Sequence, residues 1–455
     1  MSSQKECVES TLEMSIQVIR MYDWLLDLFV LDFFVDDHWN KLPDSWRHTF
    51  EHMDPQHLGN ILSNRPSNQL LPLSFLALIK TVKALTLPRE NNKKESTNLD
   101  TCKYHPKLKN LFLKHVKLKK RHEISLMADV VVDTAFQSGC NSVIDFGSGL
   151  GHLVRVLAYR DNMHAAGIEC QTQLTEEARK LDLELEYSVK KHLSSEAIAK
   201  LKRPLHFNLT LSIHQQLLSL PLPDSMQNYG LIGLHPCGDL GPLLLKHFVE
   251  SPNIKFICVV GCCFMKLTCD GPDQGYPMSN FVESLNSKLS FPSREISCHA
   301  IEVYCERLRK GNYGDLKIHA YRAALERILV EHDPKLRHAP VRSIKHSDTM
   351  TFEKYCSQAI ERVHLPLPTS STVWSRGLAD LAQWRRVVVV YTLRLALAPL
   401  VETVVLLDRV LYVLERGKCS KNLLDLPTIG IPTWLTVCNV DICLAVKPRC
   451  ALCLR

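Results

Sequence analysis

The sequence lacks several features that mark specialised classes of protein. It has no internal repeat and no extended low-complexity tract, which argues against a repeat array or a largely disordered chain. Its 55 basic and 48 acidic residues leave a net charge of only +7, which permits binding to nucleic acid without arguing for it. The composition, 45% hydrophobic and 23% charged, is that of a globular protein, and 455 residues predict about two or three domains.

An apolar signal core is missing from the first residues, and the cysteines lack regular spacing. The opening residues, MSSQKECVES, are polar. Of the 17 cysteines, Cys258, Cys262 and Cys263 lie in an apolar, strand-like stretch. We therefore expect reduced thiols in the cytoplasm or nucleus, where most cysteines act as small buried hydrophobic residues.

One apolar segment, residues 387–407, approaches the length that spans a bilayer. Arg394 and Glu402 lie within it, and Pro399 interrupts it. Charged side chains are costly at the centre of a bilayer, so we expect a core helix. A membrane location through 387–407 is the alternative.

The order of patterns predicts a helical region, an α/β core and a second helical region. Residues 1–88 have helical periodicity, and the charged, non-periodic stretch 89–102 predicts a linker. Strand and helix patterns alternate through 103–269, as in a parallel sheet covered by helices. Residues 270–416 predict a helical insertion, and 417–455 predict closing strands. The strand patterns lie near 141–147, 164–170, 205–213, 229–235, 254–263, 434–439 and 441–446.

The strongest local signal is a glycine-rich turn between a buried strand and a helix. Gly147, Gly149 and Gly151 alternate with other residues, and Asp145 precedes them by two positions. Glycine lets the backbone approach a ligand closely, and the first N–H groups of the following helix remain free to donate. Glu169 ends the next strand, where a carboxylate can accept both hydroxyls of a nucleoside ribose.

The spacing of this turn separates two classes of nucleotide-binding protein. The dinucleotide-binding pattern G-x-G-x-x-G would need glycine at position 152, where the chain has His152. The pattern present, D-x-G-x-G-x-G, is the form of class I methyltransferases. We therefore predict an α/β fold with a class I methyltransferase Rossmann-like sheet, a helical N-terminal region and a helical insertion before the last strands. Its cofactor would be S-adenosylmethionine, held by Asp145, the three glycines and Glu169.

A second group of chemically versatile residues follows the strand at 229–235. Because ligands bind beyond the carboxyl ends of parallel strands, we predict that His235, Cys237 and Asp239 are catalytic. His235 could act as a general base, Cys237 as a nucleophile if its thiolate is stabilised, and Asp239 could orient a donor. The alternative is that they shape a tight turn around Gly238.

Two further thiols follow the next strand, at Cys262 and Cys263. With His235 and Cys237 they could form a Cys3His zinc site. Adjacent cysteines on a strand point to opposite sides, however, so the sequence alone assigns no metal site.

These motifs resemble the methyltransferase-like protein 25 family, most closely its B member, once described as containing a ribosomal RNA adenine dimethylase domain. The resemblance covers roughly residues 10–416 and implies a helical N-terminal region, a Rossmann-like methyltransferase domain and a helical insertion. The chain departs from the family over 417–455. Adenine amino-methylases carry Asn/Asp-Pro-Pro-aromatic where this chain has residues 234–240, so the dimethylase description finds little support there. The resemblance rests on KKRHEI (119–124), VIDFGSGLGHL (143–153), GLHPCGDL (233–240), VVGCCFMKLT (259–268), GYPMSNFV (275–282), YRAALE (321–326) and LAPLVETVVLLDR (397–409).

A basic segment, residues 107–121, precedes the first strand. It carries seven lysines and arginines among apolar residues, which predicts an amphipathic helix at the rim of the cofactor site. Its charges would be either a solvated surface or a face that contacts phosphates. The H-x-C-G core at 235–238 is also similar to that of a family of tRNA ribose methyltransferases. We therefore predict a methyltransferase that acts on RNA, with a protein or small-molecule acceptor, or a non-catalytic interaction protein, as alternatives.

Overall fold

The computed structural model describes the chain in two compact units. One consists of Met1–Ile16, Leu87–Leu289 and Thr403–Arg455, and the other of Gln17–Thr86 and Ser290–Glu402. Backbone and side chains are described for residues 4–63, 65, 68–87, 116–117, 120–210, 222–271, 273–311, 313–314, 316–345, 347, 350–361 and 371–418, and the backbone alone for 2–3, 118–119, 315, 422–423, 434–435, 437–438 and 442–445. The predicted linker, 89–102, lies outside the described residues.

The α-helices are numbered here in chain order. They are α1 (Ser2–Met21), α2 (Asp23–Leu26), α3 (Asp44–Glu51), α4 (Pro55–Leu62), α5 (Leu73–Leu85), α6 (Leu118–Gln137), α7 (His152–Tyr159), α8 (Thr172–His192), α9 (Ser195–Ala199), α10 (Leu240–Glu250), α11 (Asn280–Ser284), α12 (Phe291–Ile296), α13 (Ile301–Arg309), α14 (Gly314–His332), α15 (Phe352–Ile360), α16 (Ser371–Ala382), α17 (Trp384–Ala396) and α18 (Ala398–Glu415).

The first unit is built on a parallel sheet. Its strands pair in the order β3-β2-β1-β4-β5, with parallel register between every pair of neighbours. The predicted α/β fold, with a Rossmann-like methyltransferase sheet between helices, is confirmed. The strands are β1 (Ser142–Phe146), β2 (His164–Glu169), β3 (Leu205–Asn208), β4 (Tyr229–Leu234) and β5 (Ile254–Val260).

The apolar character of these strands follows from burial on both sides of the sheet. All five residues of β1 are buried, as expected for a parallel strand covered by helices. Side chains from α6, α7 and α8 join those of the sheet in one core cluster, in which Met127, Leu157 and Leu185 are each nearly inaccessible. This packing holds the strands, and therefore the loops that follow them, against the helices.

Short strands after α18 extend the sheet. β9 (Ile442–Ala445) lies parallel to β5, and β7 (Trp434–Leu435) lies antiparallel to β9. β8 (Val437–Cys438) pairs instead with β6 (Asn422–Leu423) in a separate two-stranded sheet. The strand pattern at 434–439 is thus divided between two sheets, whereas the pattern at 441–446 corresponds to β9.

The second unit is helical and combines two segments that are distant in the sequence. It contains α2–α5 together with α12–α17. Within it, Arg394 is buried and donates from Nη2 to the carbonyl oxygen of Leu26 at 2.9 Å. A buried guanidinium needs such acceptors, which explains how a cation is accommodated in an apolar helix.

The apolar segment predicted at 387–407 forms helices α17 and α18. Among the residues that the structure describes, Trp384–Glu415 is the one helical stretch long and apolar enough to cross a membrane by length and composition. Its apolar window is 100% buried inside the protein. Such burial is what a core helix requires, and the location of the protein stays a prediction.

Candidate functional site

The glycine-rich turn adopts backbone conformations that side chains would disfavour. Gly149 and Gly151 have φ values of +55° and +68°, in the left-handed region. A Cβ atom at Gly149 would meet no atom within 4 Å, so the space in front of this residue is open. A Cβ at Gly151, by contrast, would overlap the ring of His206. The turn is therefore open on one side and tightly supported on the other.

Glu169 lies at the centre of this turn, at the end of β2. Its Oε2 atom accepts the N–H of Gly149 at 2.9 Å, and its Oε1 atom accepts the N–H of Gln171 at 3.0 Å. Its Oε1 atom also accepts from Sγ of Cys170 at 3.4 Å. A carboxylate offers about four lone-pair positions, so these three hydrogen bonds leave capacity for a further donor. The predicted pairing of Glu169 with the glycine loop is thus present in the structure, while its ligand role stays a prediction.

Asp145, near the end of β1, is buried, and its Oδ1 atom has no hydrogen-bond partner. Burial raises the pKa of this carboxyl to about 8, with repulsion from Glu169 adding to the effect and attraction to Lys120 opposing it. An unsatisfied buried acceptor is costly, and such groups often have a partner that completes the site. Asp145 therefore has the capacity to accept a hydrogen bond from a ligand.

A buried ionic network, which the sequence analysis did not predict, supports the glycine-rich turn. Asp182 on α8 accepts from Nε of Arg155 at 2.5 Å and lies 2.7 Å from Nε2 of His206. Arg155 also donates from Nη2 to the carbonyl oxygen of Leu150 at 3.2 Å, within the turn itself. The three charged or polar side chains come from α7, α8 and β3. Nothing in their sequence spacing indicates that they meet.

His235 has an unusual backbone conformation directly after β4. Its φ is +69°, in a region that costs a residue other than glycine about 1–3 kcal/mol and persists only where the surrounding structure holds it. Its Nε2 atom lies 3.1 Å from Oε2 of Glu123, a buried residue on α6, and its backbone N–H donates to the carbonyl oxygen of Val260 at 3.2 Å. The imidazole is thus oriented by a carboxylate, which is the arrangement found in many general bases.

Cys237 belongs to a cluster of three thiols. Its Sγ atom lies 3.4 Å from that of Cys262 and 3.3 Å from that of Cys263, and the latter two are 3.4 Å apart. The expectation that Cys262 and Cys263 point to opposite sides is wrong, because β5 ends at Val260 and both cysteines lie in the loop beyond it. Strand alternation does not apply there.

The thiols of this cluster change one another's acidity. The pKa of the Cys237 thiol is lowered to about 5, chiefly because Cys262 donates a hydrogen bond to it, with Cys263, Lys266 and His235 acting in the same direction. The pKa of Cys262 is raised in return, because it acts as the donor to Cys237. A thiolate at Cys237 is therefore favoured at neutral pH, as the prediction of a nucleophile requires.

Asp239 is engaged by a neighbouring loop. Its Oδ1 atom accepts the N–H of Thr268 at 2.9 Å, and a Cβ atom at Gly275 would overlap the carboxylate. The structure thus pairs His235 with Glu123, Cys237 with two other thiols, and Asp239 with Thr268. The catalytic roles of the three residues stay predictions.

The basic segment reaches the site at its carboxyl end. The predicted helix over 107–121 begins at Leu118 among the described residues, since Val116 and Lys117 precede it without helical structure. Residues 107–115 lie outside the described part of the chain. Lys120 is exposed on the first turn of α6 and close enough to Asp145 to lower its pKa.

A known protein family matches the part of the chain that contains this site. Residues 119–270 match a protein family described as a methyltransferase domain. The chain contains a methyltransferase domain. The matched range runs from the start of α6 beyond β5, and so includes the glycine loop, Glu169, Glu123 and the three-thiol cluster.

The chain also has curated relatives. The chain is 25% identical over 208 residues to the probable methyltransferase-like protein 25 of Mus musculus, an alignment that covers 42% of this chain and 34% of that protein. It is 26% identical over 208 residues to the protein of the same name from Homo sapiens, covering 41% of this chain and 32% of the relative. The chain therefore spans about a third of the length of these relatives. The resemblance found in the sequence is thus supported as homology at 25–26% identity over 41–42% of the chain.

Proposed function

We propose that this chain is an S-adenosylmethionine-dependent methyltransferase of the kind represented by the B member of the methyltransferase-like protein 25 family, and that its acceptor is RNA. The main support for this cofactor is the open glycine loop, in which the N–H of Gly149 donates to the Glu169 carboxylate. The methyltransferase domain requires a methyl donor, and S-adenosylmethionine is the donor that this loop fits.

The residues around the loop fit the proposed cofactor in three respects. The space in front of Gly149 is open, so a ligand can approach the backbone. Glu169 already accepts three hydrogen bonds and keeps about one lone-pair position that can accept a ribose hydroxyl. Asp145 has a buried oxygen without a partner, which can accept from a cationic amino group. Together these groups would hold the nucleoside and amino-acid parts of the cofactor.

His235 and Glu123 supply the acid–base chemistry in this proposal. The cofactor provides an electrophilic methyl group on a sulfonium, which an acceptor atom takes by direct in-line displacement. If Glu123 accepts the Nε2 proton of His235, the Nδ1 lone pair is left to receive the proton that the acceptor loses. The protein would contribute mainly by positioning the acceptor, with modest help from this base.

The basic start of α6 is the support for an RNA acceptor. Lys117 and Lys120 are exposed, and Lys120 interacts electrostatically with Asp145 at the cofactor loop. Lysines at the rim of a site can hold a phosphate backbone across its opening, and binding of this kind weakens steeply with salt.

Calorimetry with S-adenosylmethionine tests the cofactor. The wild-type chain should bind it, and Gly149→Arg should not, because the side chain would fill the open space. Gly139→Arg is the matched control: this glycine also has a left-handed φ, +65°, and open space around it, but it precedes β1 at the other edge of the sheet. Absence of binding by the wild type at millimolar cofactor, or equal loss in both variants, would contradict the proposal.

Methyl transfer from tritiated cofactor into fractionated RNA and protein tests the acceptor. Label in RNA is expected, with RNA affinity falling by about 0.7 logarithmic units per logarithmic unit of salt for each phosphate contacted. Lys117→Gln with Lys120→Gln should reduce that slope by about 1.4 while leaving cofactor affinity unchanged. If the label appeared only in protein, the proposal of an RNA acceptor would be rejected, whereas the proposal of S-adenosylmethionine as the cofactor would stand.

A further inference from the structure

We propose that Cys237, Cys262 and Cys263 form a site for one zinc ion, with a fourth coordination position open at the carboxyl edge of the sheet. The inference is independent of the proposed cofactor and acceptor, since it rests on the geometry of three thiols within the methyltransferase domain.

The three sulfur atoms form a nearly equilateral triangle with sides of 3.3 to 3.4 Å. A zinc ion at about 2.3 Å from each sulfur would sit about 1.2 Å above the plane of the triangle. In a regular tetrahedral site the sulfurs would be about 3.8 Å apart, so each pair needs to separate by only about 0.4 Å.

The backbone places the three cysteines together before any metal binds. Cys237 follows β4, and Cys262 and Cys263 follow β5, which are paired neighbours with Leu234 opposite Val260. The two loops therefore leave the sheet side by side. Left-handed residues on either side of Cys237, His235 at φ +69° and Gly238 at φ +61°, turn the first loop back toward the second.

None of the other cysteines in the described part of the chain belongs to such a cluster, although Cys7 and Cys170 are exposed and Cys269 and Cys298 partly so. Cys140, Cys258, Cys305 and Cys356 are buried among apolar residues, as is usual for a thiol that acts as a small hydrophobic side chain. The cluster is instead partly exposed, with Cys237 the most accessible of its members. A disulfide would join two of the sulfurs at about 2.05 Å and leave the third unused, whereas a zinc ion engages all three.

The open fourth position indicates what kind of zinc site this would be. Structural zinc sites are closed by four protein ligands, whereas sites with three protein ligands keep an exchangeable position for water or substrate. His235 does not fill that position, because neither of its ring nitrogens lies within 4.8 Å of all three sulfur atoms. Thiolate ligands favour zinc over hard cations such as magnesium, and each ligating thiol releases its proton to solvent.

Elemental analysis of the full chain tests the site. Protein produced with added zinc and purified with a phosphine reductant and without chelator should contain about one zinc per chain. Cys237→Ser, Cys262→Ser and Cys263→Ser should each lower the zinc content several-fold. Cys269→Ser is the matched control, since its thiol lies in the same region and donates to the carbonyl oxygen of Leu267, but is not one of the three mutually close sulfurs.

A cobalt titration provides a second measurement that does not depend on folding of the variants. Adding Co²⁺ to metal-free wild-type protein should produce sulfur-to-cobalt charge-transfer absorption that saturates at about one equivalent. Zinc should then bleach the absorption. The proposal is overturned if the wild type takes up neither metal, if Cys237→Ser keeps the wild-type zinc content, or if peptide mapping finds Cys237 in a disulfide in zinc-supplied protein.

Discussion

Replacement of Asp182 by asparagine should destabilise the methyltransferase unit by about 3 kcal/mol. The carboxylate pairs with Arg155 and His206, and the side chains of these partners are 2% and 3% exposed. Removing one partner of a buried ion pair costs about 3–5 kcal/mol, because the remaining charge is left uncompensated. We expect the lower end of this range, since Arg155 keeps the carbonyl oxygens of Leu150 and Ala178 as acceptors at 3.2 and 3.1 Å.

The assay has to report on the first unit alone. The tryptophans whose side chains are described, Trp24, Trp39, Trp46, Trp374 and Trp384, all lie in the second unit, so tryptophan fluorescence is unsuitable. Cys258 in β5 is fully buried, and its labelling by a thiol reagent, read by peptide mass spectrometry, requires opening of the sheet. When reclosing is fast, the labelling rate follows the population of the open state. A loss of about 3 kcal/mol should therefore accelerate labelling of Cys258 about a hundredfold.

An exposed ion pair on the same helix is the control. Lys180 and Glu177 are 3.7 Å apart on α8, with side chains 69% and 50% exposed. Glu177→Gln should change the stability by less than about 0.5 kcal/mol, because surface pairs in water contribute little. If Asp182→Asn accelerates labelling less than fivefold, or no more than Glu177→Gln does, the network does not support the glycine turn as argued.

Three further predictions concern the site itself. Gly151→Ala should lower the thermal midpoint far more than Gly139→Ala, because both have a left-handed φ but only Gly151 faces the ring of His206; equal losses would contradict the steric argument. The folded-state pKa of Asp145 is raised to about 8, so its ionisation should progressively destabilise the ligand-free protein as pH rises from about 4 to 8. Asp145→Asn should remove that dependence, giving a higher free energy of unfolding than wild type at pH 8, and an unchanged pH profile in urea unfolding would refute it. His235→Asn, chosen because asparagine tolerates a left-handed φ, should reduce methyl transfer with little change in calorimetric cofactor affinity; a parallel loss of affinity and stability would assign the residue a structural role.

Local sequence patterns were sufficient to predict the sheet and the cofactor-side loop. The strand patterns near 141–147 and 164–170 correspond to β1 and β2, because residues buried on both sides of a parallel sheet are almost all apolar. Gly149 and Gly151 were predictable for a different local reason: they have φ values that other residues rarely adopt. Glu169 follows from them, because the end of β2 must lie beside the turn that follows β1.

The sequence predicted that β5 exists, but not where it ends. The prediction for the orientation of Cys262 and Cys263 was wrong for this reason. The apolar run continues through Val260 to Cys263, yet pairing with β4 ends at Val260. The position of that end depends on where the neighbouring strand stops, which the run itself does not contain. The orientation of Cys262 and Cys263 therefore required the structure.

The sequence by itself determined the elements whose signals are local: the α/β alternation, the glycine turn and the acid at the end of β2. Only the tertiary structure decided which distant residues meet. Asp182 lies 27 residues from Arg155 and 24 from His206, and Glu123 lies 112 residues from His235. Likewise, residues 17–86 share a unit with 290–402 although the whole methyltransferase domain separates them. Contacts across such separations are set by how helices pack on the sheet, because hydrophobic burial rewards apolar area without specifying which element supplies it.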